Sequence, residues 1–237
     1  MNGFNFQFSE IEAGYNGRQV LRRVSGELGP NGRVAVIGPN GCGKSTLLRV
    51  LMGVHPATGS IAMGGTDISR ASAMDRNRLG LGCMRQGVNV FPSLTGRENL
   101  EMAFTGHSIE CNKRIVEVSG LLPATKQSLN RRAGLLSGGM RQSLALAMVL
   151  MNRPKVLLLD EPLAGLSPKA ADSMIDSLNS IHSAEGVAWM IVEHRLPLVR
   201  RAVDAVWIMR DGQFIHITED VAVLEDPDEL SEHFQLT

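Results

Sequence analysis

The chain has no surplus of either charge: 24 Lys and Arg face 24 Asp and Glu. That balance removes the electrostatic basis for nucleic-acid binding. It also lacks a long uncharged apolar run. Nothing in it resembles a membrane-spanning helix or a signal peptide, so a soluble, cytoplasmic chain is expected. Cysteine is sparse. Cys42, Cys83 and Cys111 are odd in number and far apart, without a C-x-x-C, which argues against a disulfide framework or a zinc site. The six histidines show no ligand spacing. Aromatics are few, and Tyr15 is the single tyrosine. Glycine, in contrast, is abundant at 25 residues, which suits turns and phosphate-binding loops. A length of 237 residues allows one larger domain, or a main domain with a modest subdomain.

What is present is organised around Gly38-Pro39-Asn40-Gly41-Cys42-Gly43-Lys44-Ser45, which fits G-x-x-x-x-G-K-[ST]. The run before it, Arg33 to Ile37, is short, apolar and β-branched and reads as a buried strand. The run from Thr46 to Met52 reads as a helix that stops at Gly53. In strand–loop–helix context the glycines turn backbone N–H groups inward around phosphate oxygens, and the helix N-terminus adds free donors. Lys44 can reach the β- and γ-phosphates, and Ser45 can offer a hydroxyl to Mg²⁺. Cys42, a thiol at a helix N-terminus, is a candidate for a lowered pKa and oxidation.

Toward the N-terminus, Phe4–Phe8, Ile11–Tyr15 and Gln19–Leu28 read as strands, with Asn16-Gly17 a hairpin turn between the last two. Gly59 to Met63 and Leu79 to Arg85 are further strands. Thr95-Gly96-Arg97-Glu98 is a capping box that starts a helix. Residues 87–136 then read as a small helical subdomain inserted between catalytic-core segments 1–86 and 137–237. Downstream, Gly138–Asn152, Lys169–Glu185 and Leu196–Ala202 read as helices. They alternate with strands Lys155–Asp160, Val187–Val192, Asp204–Met209 and Gln213–Ile217, the last pair joined by Asp211-Gly212. The tail after Thr218 is acidic and reads as a solvated terminal helix. The expected class is α/β: a phosphate-loop fold with a mostly parallel sheet flanked by helices, an N-terminal antiparallel β subdomain and the helical insert.

Two further segments fix the chemistry. Leu157-Leu158-Leu159-Asp160-Glu161 is an apolar strand ending in two carboxylates. Asp160 is placed to hold Mg²⁺ and Glu161 to orient and deprotonate a water for in-line attack. Leu136-Ser137-Gly138-Gly139 opens a helix and forms a second anion site. One nucleotide does not easily need both ends from one protomer. A head-to-tail dimer resolves this, with each ATP between the phosphate loop of one chain and the Ser-Gly-Gly of the other.

These motifs, in this order, resemble the ATP-binding subunits of ABC transporters over essentially the full length. The resemblance covers the Walker A loop, the Walker B strand and the Leu-Ser-Gly-Gly signature. It implies a Q-loop role for Gln86, contacting Mg²⁺ or the attacking water, and a switch-histidine role for His194, bonding the γ-phosphate. Tyr15 sits where relatives stack an aromatic on adenine, and Ala164-Gly165-Leu166-Ser167 matches the D-loop region. The expected nucleotide-binding residues are therefore Tyr15, Gly38, Pro39, Asn40, Gly41, Cys42, Gly43, Lys44, Ser45, Thr46, Ser137, Gly138 and Gly139. Glu161, His194 and Gln86 are the expected catalytic groups, and Ser45, Gln86 and Asp160 the expected Mg²⁺ ligands. Met140 departs from the usual Gln or Glu of the signature, and Ser167 from the Asp of the D-loop.

The resemblance implies a second ATP-binding subunit, identical or paralogous, and integral membrane permease subunits, which hold the chain on the inner face of the cell membrane. In an importer, a solute-binding protein acts indirectly. The segments Met84–Thr95 and Glu161–Leu166 are most similar to branched-chain amino-acid and urea-type uptake ATPases. An exporter ATPase with separate membrane subunits is the alternative. Leu-Ser-Gly-Gly, and the lack of an N-K-x-D guanine motif, argue against a phosphate-loop kinase or GTPase.

Overall fold

In a computed structural model, which describes residues 4–87 and 89–225, the apolar runs become strands buried on both faces. β3 (Arg33–Ile37), β6 (Leu81–Met84), β7 (Val156–Asp160), β8 (Ala188–Val192) and β9 (Ala205–Arg210) pair in parallel. The antiparallel edge strand β10 (Gln213–Thr218) completes a six-stranded sheet of order β10-β9-β3-β8-β7-β6. Side-chain alternation divides this sheet between two cores. Ala35, Ile37, Leu157, Leu159, Trp189 and Ile191 point to the helical side, and Val34, Val36, Val156, Leu158, Met190 and Val192 to the other. Strands covered on both faces need apolar residues at every position, which is why they read as unbroken runs.

The second core is closed by a four-stranded antiparallel sheet of order β2-β1-β4-β5. It comprises β1 (Phe6–Tyr15), β2 (Arg18–Leu28), β4 (Thr58–Met63) and β5 (Thr66–Asp67). The two strands expected at residues 4–8 and 11–15 are one continuous strand. A register shift lies between Phe8 and Ile11, where Glu10 has φ 54°. The hairpin at Asn16-Gly17 is present, both residues having positive φ.

Between these sheets runs α1 (Lys44–Leu51). Its C-terminal end is held by an element the sequence reading missed, α2 (Ala73–Arg78). Arg76, 3% exposed, donates to Val50 O and Leu51 O at 2.8 Å each. The guanidinium thus adds a donor to Val50 O, which also accepts from Gly53 N–H, and supplies one to Leu51 O at the helix end.

Residues after β6 hold α3 (Gly96–Ala103), with the expected capping box, α4 (Ser108–Leu121) and α5 (Pro123–Ser128). Then come α6 (Gly138–Leu150), α7 (Pro168–Glu185) and the short α8 (Leu196–Val199), which continues as a 3₁₀ turn to Ala202. Buried Arg114 on α4 donates to Leu150 O at the end of α6 and pairs with Glu185 at the end of α7, fastening the helices to one another. The acidic tail lies mostly outside the described residues. Within its described part, Val221–Glu225 is a 3₁₀ helix that buries Val223 and Leu224, so this stretch is not the solvated helix expected.

The three thiols correct one expectation. Cys42 is 6% exposed, and burial pushes its thiol up in spite of the nearby Lys44 ammonium. Burial also pushes Cys83 up to about 12 and raises Cys111. Desolvation of a thiolate outweighs the helix N-terminus and the cation here. Native protein at pH 7.5 is therefore expected to react with Ellman's reagent at all three cysteines more slowly than free cysteine does. The three should become equally reactive after unfolding in guanidinium, which stopped-flow absorbance measures.

Candidate functional site

The parallel order puts the C-terminal ends of β3, β8, β7 and β6 on one edge of the sheet, the edge where open α/β sheets bind ligands. Each of these strands is followed by one expected segment: the phosphate loop after β3, Gln86 after β6, Asp160-Glu161 at the end of β7 and His194 after β8.

The loop's backbone is shaped by what lies behind it. A Cβ at Gly38 would stand 2.1 Å from Met209 O, and one at Gly43 would meet Leu21 Cδ2 at 2.9 Å. Both residues also have positive φ. Gly212 N–H, in the β9–β10 turn, donates to Cys42 O at 2.9 Å and supports the loop from below. Lys44, 6% exposed, donates through Nζ to Gly38 O at 2.7 Å and Pro39 O at 2.9 Å, so its ammonium lies under the loop. Pro39, Asn40 and Gly41 are exposed, and buried Thr46 lies in the first turn of α1. The first N–H groups of a helix have no partner within it and can face an anion.

Ser45 Oγ donates to Asp160 Oδ1 at 3.2 Å. These two oxygen groups match the hard-donor chemistry that Mg²⁺ requires. Asp160 is 6% exposed, and burial raises its pKa, with Glu161 pushing the same way against the Ser45 hydrogen bond.

Glu161 is the meeting point of the other groups. Its Oε2 accepts from Gln86 Nε2 at 2.6 Å, and its Oε1 lies 3.3 Å from His194 Nε2. The amide of Gln86 is thus directed at Glu161. Glu161 has φ 50°, in the left-handed region that non-glycine residues avoid, and it precedes Pro162. Its N–H donates to Val192 O at 2.9 Å and its carbonyl accepts from Ala164 N–H at 3.1 Å, which hold this backbone in place. A strained backbone at a strand end beside polar side chains is a common mark of a functional position.

Tyr15 lines an open cleft of about 500 Å³ beside the loop, together with Val20, Gly41 and Asp211. Its ring is tilted against His55, centroids 4.3 Å apart, and its hydroxyl accepts from Arg49 at 3.3 Å. Ser137, Gly138 and Gly139 are not gathered with these residues. Ser137 and Gly139 line a different cleft, of about 280 Å³, with Ser167 and Ala170. There Ser137 Oγ caps α6 by accepting from Met140 N–H at 3.3 Å. Ser167 caps α7 in the same way, and Pro168 follows at the first helical position.

Three residues near the site escaped the sequence reading. Gln142 Nε2 donates to Pro162 O at 2.8 Å, Arg195 donates to Leu166 O at 2.7 Å, and buried Glu193 accepts from Leu163 N–H. A carboxylate directly after five buried strand residues was the signal for Glu193.

Because burial raises its pKa, Asp160 holds its proton more tightly folded than unfolded. Its contribution to stability is greatest below the unfolded carboxylate pKa and is lost as pH rises through the folded value. At neutral pH the ionised group is a net cost. Asp160→Asn is therefore expected to melt a few degrees higher than wild type at pH 7.5 in metal-free buffer, with the difference shrinking toward pH 4. Differential scanning calorimetry at the two pH values checks this.

The family model for ABC transporters matches residues 21–164. The chain is 34% identical over 226 residues to a probable branched-chain amino acid transport ATP-binding protein LivF of Archaeoglobus fulgidus, covering 94% of this chain and 93% of that one. It is 32% identical over 222 residues to the high-affinity branched-chain amino acid transport ATP-binding protein BraG of Pseudomonas aeruginosa, covering 93% and 95%. Relatives of comparable identity are named for other solutes, putrescine and ferric ions among them. The ADP conformation of MJ1267, an ATP-binding cassette of an ABC transporter, superposes with a TM-score of 0.83 at 26% identity, covering 96% of this chain and 97% of that one. Among the described residues no helix is long and apolar enough to cross a membrane. The nucleotide-binding motifs and the extent of this likeness lead to one conclusion: the chain belongs to the ABC transporter family and is an ATP-binding ATPase of it.

Proposed function

We propose that this chain is the motor subunit of an importer for branched-chain amino acids or related small solutes, in which ATP closes a head-to-tail dimer and hydrolysis opens it. The observation that carries the catalytic part is the Glu161 carboxylate, placed between Gln86 Nε2 and His194 Nε2 one residue beyond Asp160. The cargo class is supported by the names of the two relatives above, which match over nearly the whole chain.

In this reading the loop amides from Gly38 to Thr46 and Lys44 bind the phosphates, and Tyr15 stacks on the adenine. Ser45, Asp160 and Gln86 would hold Mg²⁺, which would offset negative charge on the phosphates. Glu161 accepts the proton of the attacking water. Its acceptor lone pairs are directed by Gln86 on one side and His194 on the other, and His194 also bonds the γ-phosphate. Ser137, Gly138 and Gly139 serve the nucleotide of the partner chain, consistent with their separate cleft. Residues 1–86 and 137–237 act as the catalytic core. The insert 87–136 passes the motion to membrane permease subunits at the inner face of the membrane, and a solute-binding protein takes part indirectly.

Glu161→Gln is expected to bind ATP with an affinity close to wild type, to hydrolyse it about 100-fold more slowly or worse, and to elute as a dimer with ATP. Single-turnover hydrolysis and light scattering read both, and near-normal turnover would remove Glu161 from the role of base. Ser137→Arg is expected to leave ATP binding by the monomer intact and to abolish ATP-dependent dimerisation. Loss of monomer binding in a fluorescent-nucleotide titration would contradict a role toward the partner chain.

A further inference from the structure

Glu193 sits outside the nucleotide machinery described above, yet it is 4% exposed and carries a carboxylate. Among the described residues it forms no salt bridge. Its partners are backbone donors: Oε1 accepts from Leu163 N–H at 2.5 Å and Oε2 accepts from His194 N–H at 3.0 Å. Burial raises its pKa, and the backbone hydrogen bonds oppose the shift. A buried carboxylate without a cation is costly. An apolar side chain would leave converging N–H groups without acceptors, and a glutamine amide would turn donors toward donors.

The donors belong to the two segments that carry the proposed water-activating pair. Leu163 lies two residues after Glu161, and His194 directly follows Glu193. Two other bonds run alongside. Glu161 N–H donates to Val192 O at 2.9 Å, and Arg195 donates to Leu166 O at 2.7 Å. The segments 161–166 and 192–195 are thus fastened at three successive points, with Glu193 in the middle. The 3.3 Å approach of His194 Nε2 to Glu161 Oε1 occurs at the open end of this fastening.

We propose that Glu193 is a positioning residue that fixes His194 against Glu161, without touching nucleotide itself. The inference rests on the reading of Glu161 and His194 as catalytic groups. In this arrangement a carboxylate at 193 sets the turnover step, because a displacement of about 1 Å at a reacting group lowers rate far more than it lowers binding. Arg195 contributes at the outer point of the same fastening.

The test uses the full chain with MgATP, in steady state and single turnover. Glu193→Gln is expected to lower kcat about 10-fold with KM for ATP within about 2-fold of wild type. In a His194→Ala background the same substitution should change kcat less than about 2-fold, because the residue it positions is gone. Losses that multiply in the double variant, or a rise in KM with kcat unchanged, would overturn the proposal. Should Glu193→Gln not fold, Arg195→Met, at a half-buried position, carries the same comparison: a kcat loss that vanishes when His194 is alanine supports the inference, and one that persists overturns it. His194→Ala with wild-type turnover would instead overturn the catalytic reading of the site, and the inference with it.

Discussion

The parallel pairing of β3, β8 and β7 is the constraint on which the site depends. Val36 and Asp160 both lie opposite Val192, so three strand ends are in register before any side-chain chemistry is considered. The loop after β3, the carboxylates at the end of β7 and the histidine after β8 are then neighbours by backbone hydrogen bonding. β6, paired with β7 through Met84 and Leu159, brings Gln86 to the same edge. Packing on both faces makes this register hard to shift, since a slip of one residue would exchange the two cores.

Such an edge concentrates negative charge, and the structure treats each carboxylate differently. Asp160 is buried and bonded to one hydroxyl, and burial raises its pKa. Glu193 is buried and satisfied by backbone amides. Glu161 is less buried, held in a left-handed backbone and flanked by the Gln86 and His194 side chains. Only the last keeps oxygens available near solvent while its backbone is fixed, which is what a proton acceptor requires. The strain at Glu161 and the burial of its neighbours both cost stability, as is common where function sets the residue.

Much of this was legible because it is local. β3 matches its sequence boundaries residue for residue, since both faces are buried and turns bound it. The capping box at Thr95 and the positive-φ turn at Asn16-Gly17 are encoded within four residues or fewer. What escaped was either weakly patterned or distant. α2 spans six residues and buries only Arg76, so it had no apolar period to read. The β1 bulge depends on one residue, Glu10, whose conformation no side-chain pattern announces. Cys42 misled because a helix N-terminus is visible in sequence and burial is not. The bond between Glu193 and Leu163 joins residues 30 positions apart, and only the β7–β8 register brings them together.

The separation of the two proposed anion-binding ends acquires a mechanical meaning from α6. Its N-terminus presents Ser137 and Gly139 in a cleft away from the phosphate loop. Little more than one turn further on, Gln142 holds Pro162 O, next to Glu161. A helix transmits displacement along its axis with little loss over so short a span. The end proposed to meet the partner's nucleotide and the segment carrying the proposed base are thus linked through one helix and one hydrogen bond. Gln142 holds that segment from the α6 side, and Glu193 and Arg195 hold it from the β8 side. The turn 162–166 is therefore fixed by three side chains from two sides, and its backbone can shift relative to His194 only if at least one of those fastenings yields.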